Sequence, residues 1–136
     1  MSTEENKRVV KKFQDLLAQQ AFDEAFALLA PGATWWVPTD KPGGMLIPKD
    51  TMQQMVGSFL KIFVQSPVFE VQSMTAEEDR VCVQQTGRNG RTRGGAAYDN
   101  DYHMLFRLRD GLIIEVREYM NPLLVGAVTA ELQGAK

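Results

Sequence analysis

The chain predicts an α+β fold: three N-terminal helices packed on a curved, mainly antiparallel sheet, closing it around a conical pocket. Two periodicities carry that expectation. Apolar residues recur at helical spacing through the first half, and alternate with polar ones at strand spacing through the second. The third observation is Asp110-Gly111, set between two alternating runs, which is the strongest short-range signal for a hairpin. It organises the stretch from Asn100 to Asn121.

The elements follow in order. Ser2-Thr3-Glu4-Glu5 offers a cap and an acidic first turn. Val9, Val10, Phe13, Leu16 and Leu17 then make residues 4–19 an amphipathic helix. A second helix runs from Phe22 to Leu29, and Pro31-Gly32 stops it. Ala33 to Val37 is a short strand ended by Pro38. Residues 38–49 hold three of the six prolines and Gly43-Gly44, so they read as a loop, a rim or lid. Lys49-Asp50-Thr51 opens a third helix with Met52, Met55, Val56, Phe59, Leu60 and Phe63 as its stripe, ending before Pro67. Strands follow from Val68 to Ala76 and from Arg80 to Arg88, around a turn at Glu77-Glu78-Asp79. Asn89 to Gly95 is a Gly- and Arg-rich connection to the hairpin. Pro122 breaks the hairpin, and Leu123 to Leu132 forms a helical tail.

Matching the apolar faces sets a register for the hairpin. A three-residue loop, Arg109-Asp110-Gly111 with Gly111 in a bulge, pairs Leu108 with Leu112, Phe106 with Ile114, Met104 with Val116 and Tyr102 with Glu118. Glu118 is then the one formal charge on an otherwise apolar face. Desolvation there raises a carboxyl's pKa, which suits a general acid or base near neutrality. The structural alternative is a Glu118 ion pair with Arg88 or Arg93. Tyr102 is placed to donate its hydroxyl. Trp35 and Trp36 point to opposite faces of their strand, one into the pocket and the other onto a helix. His103 falls on the outer face, and Leu105, Ile113 and Tyr119 there suggest a homodimer.

Composition narrows the function. The 136 residues suit one domain spanning the chain. A net charge of −2 gives no general attraction to nucleic acid or to an anionic membrane. Cys82 alone rules out an internal disulfide and a cysteine-based zinc site, and one histidine makes no His-rich metal site. No apolar run reaches the ~18 residues of a membrane span. The start lacks a signal-peptide core, so a cytoplasmic location is expected. GRNGRTRGG lacks the strand-to-helix setting of a phosphate loop. No serine sits in a nucleophile elbow.

Two stretches, VVKKFQDLLAQQAFDEAFALLAPGATWWVP and YHMLFRLRDGLIIEVREYMNP, resemble the NTF2-like superfamily and within it the SnoaL-like and ketosteroid-isomerase-like proteins. The resemblance implies a conical α+β barrel, commonly a homodimer through the outer sheet face. It covers isomerases, cyclases, epoxide hydrolases, dehydratases and non-catalytic binding domains. The isomerases' tyrosine, base and protonated aspartic acid fall on Phe13, Val37 and Met104. None of these can exchange a proton, so steroid isomerisation by that mechanism is not expected. The SnoaL-type cyclases' histidine also falls on Met104, whereas their acid is kept in kind as Glu118. Epoxide-hydrolase-like relatives pair an acid at Glu118 with an arginine, a role open to Arg88, and with a second acid that is not evident.

The resulting expectation is a cofactor-free isomerase, cyclase, hydrolase or dehydratase without a metal, acting on a small apolar or aromatic molecule. Glu118, Tyr102 and Arg88 are its catalytic candidates. Trp35, Trp36, Met104, Phe13, Val37, Phe59, Asn100 and Val116 are its ligand contacts. The alternative is a non-catalytic ligand-binding or dimerisation module.

Overall fold

A computed structural model describes residues 2–134. Helix α1 (Thr3–Ala18) begins where the Ser2 hydroxyl accepts from the Glu5 N–H at 3.1 Å, and it buries Val10 and Phe13. Helix α2 (Phe22–Phe26) ends three residues earlier than its apolar spacing suggests. The chain passes instead into strand β1 (Leu29–Val37), which takes in Pro31-Gly32. The register of β1 shifts between Leu29 and Thr34, and Gly32 has φ +81°. A bulge tolerates both residues, so a pair that looks like a stop sits inside a strand. From Ala33 on, alternate residues Ala33, Trp35 and Val37 are buried.

Residues 38–49 are not wholly a loop. Met45–Pro48 is strand β2, an edge strand antiparallel to β1, where proline costs no inner ladder bond. At Gly44 the residue type is dictated: φ is +61° and a Cβ would collide with the Val37 carbonyl. Helix α3 (Lys49–Leu60) stops before the end of its apolar stripe. Phe63 opens the short strand β3 (Phe63–Gln65) and packs with Ile62, Tyr98 and Val128 in a second cluster.

The remaining strands are β4 (Val68–Glu77), β5 (Arg80–Thr92), β6 (Ala97–Arg109) and β7 (Leu112–Tyr119). Helix α4 (Pro122–Gly134) follows, with proline at its start, where a missing N–H does no harm. The sheet order is β2-β1-β7-β6-β5-β3, with β4 also on β5. It is antiparallel except for β1 on β7. The α+β class and the curved, mainly antiparallel sheet are as expected. The strands outnumber the five expected because β2 and β3 lack alternation long enough to read. Strand β5 runs on through Asn89-Gly90, absorbing a register shift between Gly87 and Gly90.

The hairpin register differs from the expected one. Asp110 and Gly111 have φ of 53° and 83°, a two-residue turn with both centres left-handed. Arg109 therefore faces Leu112, and Leu108 faces Ile113. The extra residue lies further on, at Ile114, after which Phe106 faces Val116 and Met104 faces Glu118. Tyr102 is thus not opposite Glu118. Ile113 is 0 % exposed in the core rather than on the outer face, so it offers no outer contact surface. His103 and Tyr119 do lie outside.

Phe13, Phe26, Trp35 and Phe106 form the aromatic heart of the core. Phe13 sits 5.9 Å from both Phe26 and Phe106, edge to face in each case. This cluster braces the inner wall of the sheet. Among the described residues no helix is long and apolar enough to cross a membrane.

Candidate active site

The concave face of the sheet, with α3 and α4 across it, encloses a cavity of about 960 Å³. Its wall is mostly apolar: Trp35, Val37 and Met104 from the sheet, Met52 and Phe59 from α3, Val125 from α4. Glu118 enters this wall because it alternates inward with Val116 beyond the Ile114 bulge.

The Trp35 indole N–H donates to Glu118 Oε1 at 2.8 Å. Among the described residues Glu118 has no ion-pair partner. Burial among apolar groups pushes its carboxyl up to about 7, and the Trp35 hydrogen bond opposes that rise only in part. Near neutral pH such a group is neither fully charged nor fully neutral. Trp35 holds one oxygen, and the other has no hydrogen-bond partner among the described residues.

The cavity holds two further polar features. The Tyr98 and Tyr102 hydroxyls lie 2.5 Å apart, and Asn100 Nδ2 donates to the Tyr98 oxygen at 2.9 Å. Whichever phenol donates to the other, one O–H proton remains without an acceptor among the described residues. Burial raises the pKa of both phenols, so both stay protonated donors. The second feature joins α1 to β5: Gln14 Nε2 donates to Gln85 Oε1 at 2.7 Å. Asp40 stands exposed at the mouth. No group of three or more potential metal ligands occurs among the described residues.

Of the residues singled out from sequence, Glu118, Tyr102, Trp35, Val37, Phe59 and Met104 line the cavity. Arg88 does not. On β5 the inward positions are Val81, Val83, Gln85 and Gly87, so Arg88 faces out. It pairs with Asp101 at 2.5 Å and donates to the Asn100 carbonyl at 2.8 Å. Arg93 donates to the Lys61 carbonyl, so neither arginine neutralises Glu118. Trp36 lies on the outer face, packed on β7 rather than on a helix. Its ring is 5.1 Å from that of Tyr119, with the Arg117 guanidinium 4.3 Å above it.

Phe13 and Val116 are core residues behind the wall, each 0 % exposed. Asn100 is buried and fully occupied. It accepts from the Asp101 and Asn121 N–H groups and donates to Tyr98 and the Asn121 carbonyl. It is therefore a positioning residue, not a ligand contact.

Sequence reading missed Tyr98, Gln14, Gln85, Asp40 and the cover supplied by α4. Tyr98 carries a usable signal, since it continues the inward series of Tyr102, Met104 and Phe106. Gln85 likewise continues Val81 and Val83, and Gln14 follows Phe13 on the buried side of α1.

Comparison with known proteins agrees with this architecture. The family model for a SnoaL-like domain matches residues 10–116. An NTF2-like protein from Burkholderia xenovorans LB400 superposes with a TM-score of 0.73 at 20% identity, covering 95% of this chain and 98% of that one. PrhC from Penicillium brasilianum NBRC 6234 gives 0.81 at 14% identity, covering 98% and 93%. TerC, co-crystallised with polyporic acid, gives 0.76 at 12% identity, covering 93% and 98%. At these identities the likeness is one of fold. No curated protein matches the chain.

Proposed function

The chain belongs to the SnoaL-like domain family, and from that premise we propose that its cavity is an active site where Glu118 moves a proton on a small apolar molecule. The reaction class is isomerisation, cyclisation, hydrolysis or dehydration. One observation carries the reading: a carboxyl without a counter-charge, set in an apolar cup, titrating near neutrality. A group poised there can take and return a proton within one cycle. Trp35 fixes its orientation. The spare phenolic proton of the Tyr98–Tyr102 pair is a donor for an oxygen of the substrate. TerC, of the same fold, was crystallised with polyporic acid, which supports a small organic ligand here. Phe13, Val37 and Met104 cannot exchange protons, so the chemistry falls to other residues.

The test uses two bicyclic probes: deuterium exchange beside the carbonyl of 1-tetralone, and hydrolysis of indene oxide. A wild-type rate above buffer with either probe, falling at least about 100-fold in Glu118→Gln, supports the proposal. Equal rates for the two proteins contradict it. The second reading, ligand binding without turnover, is favoured by a single observation. Glu118 is the only carboxyl among the described residues lining the cavity apart from the exposed Asp40 at its mouth. In that case Glu118→Gln leaves probe affinity unchanged and neither protein turns over.

A further inference from the structure

Gln14 and Gln85 are 7 % and 9 % exposed, and both line the cavity. Two primary amides that served only to clip α1 to β5 would close both of their possible hydrogen bonds. Here one is made, Gln14 Nε2 to Gln85 Oε1 at 2.7 Å. The second Gln14 N–H turns to the Met104 sulfur at 3.7 Å, a weak acceptor. Gln14 Oε1 and Gln85 Nε2 are left without partners among the described residues. Both atoms keep some exposed surface, and both residues line the cavity. Exchanging the oxygen and nitrogen of both amides changes nothing essential, because the pair still leaves one carbonyl and one NH2. Unpaired amides in an apolar cup are costly, and a ligand that supplies their partners removes the cost.

We propose that this pair is a recognition subsite for an adjacent hydrogen-bond donor and acceptor on one edge of an apolar ring system, as in a lactam. The proposal rests on the reading that the cavity takes a small molecule, and goes beyond it by naming the edge that is recognised. Position adds to the argument. Gln85 faces Tyr102 across the sheet, and Glu118 faces Met104 from the strand on the other side of β6. Two strand spacings and a two-residue offset along β6 separate Gln85 from Glu118, roughly 12 Å. A ligand held by the amides lies along Met104 and presents its far end to the carboxyl.

The test compares quinolin-2(1H)-one, a lactam, with naphthalene, the hydrocarbon of the same shape, by NMR titration. The protein variant is Gln14→Met/Gln85→Met, which replaces both partners by apolar chains of like length and so leaves no orphaned amide. Comparing the change in affinity for each probe cancels their different hydration. The double variant is expected to weaken quinolinone binding at least about tenfold while moving naphthalene by less than about twofold. Should the double variant not fold, the wild-type side-chain NH2 signals decide. Those of Gln85 shift on adding quinolinone and stay in place with naphthalene.

Unequal outcomes separate the two readings. With naphthalene bound, equal losses of affinity for both probes, or a Gln85 signal that does not move on adding quinolinone, overturn the amide subsite alone. No binding of either probe overturns the cavity reading with it.

Discussion

Glu118 is costly to ionise where it stands. Its carboxyl has an ordinary value of 4.5 and is pushed up to about 7 in the folded chain. Below pH 4.5 both folded and unfolded forms hold the proton, and stability is unaffected. As pH rises from about 4.5 to about 7 the unfolded chain gives up the proton first, so stability falls. Above that window the loss is complete, at most about 3 kcal/mol. Urea unfolding should therefore show wild type weaker at pH 8 than at pH 5, and Glu118→Gln should flatten that slope. An unchanged slope in the variant would place the carboxyl in water. This residue was legible in the sequence because one charge interrupts a run of inward apolar positions. Arg88 was misread because strand parity, not residue type, decides which way a side chain points, and at Arg88 it points out. The glutamine pair was not legible. A single polar residue on a buried face says nothing about what it meets 71 positions away.

Scale up to elements, and the hairpin shows how far periodicity reaches. Alternation constrains which face a residue takes, but sliding one strand by two residues preserves every face. The number of turn residues and the place of the bulge break that degeneracy, and neither is written in the pattern. The expected bulge at Gly111 is found at Ile114. Glu118 still faces inward, but its cross-strand partner changes from Tyr102 to Met104. Further along, Asn100 joins β6 to the residue that precedes α4 with two of its four hydrogen bonds, the other two going to Tyr98 and Asp101 of β6. Asn100→Ala would leave the Asn121 N–H without its acceptor and release Tyr98 from its donor, while the Asn121 carbonyl keeps the Leu124 and Val125 N–H groups. A loss of about 2–4 kcal/mol in urea unfolding is expected. A loss under about 0.5 kcal/mol would show that the joint holds without it. The boundaries of α2, β1 and β2 were hidden for a related reason: Pro31-Gly32 and the prolines around β2 look like stops, yet edges and bulges accept them.

For the molecule as a whole, the sheet curves around one cup, α1 and α2 pack on its inner face through Phe13 and Phe26, and α3 and α4 cover its opening. The α+β class was legible because helices and strands are segregated along the chain. The cover by α4 was not, since a tail of apolar residues gives no sign of where it docks. What the architecture provides is a mostly apolar, buried surrounding for a carboxyl held by one indole, with phenols and amides lining the same cavity. All the proposed chemistry depends on that surrounding keeping Glu118 half-ionised near neutrality. The direct measurement is a 13C NMR titration of the labelled Glu118 side chain. A midpoint near 7 is expected, and a midpoint at or below the ordinary carboxyl value of 4.5 would contradict the proposed role of Glu118.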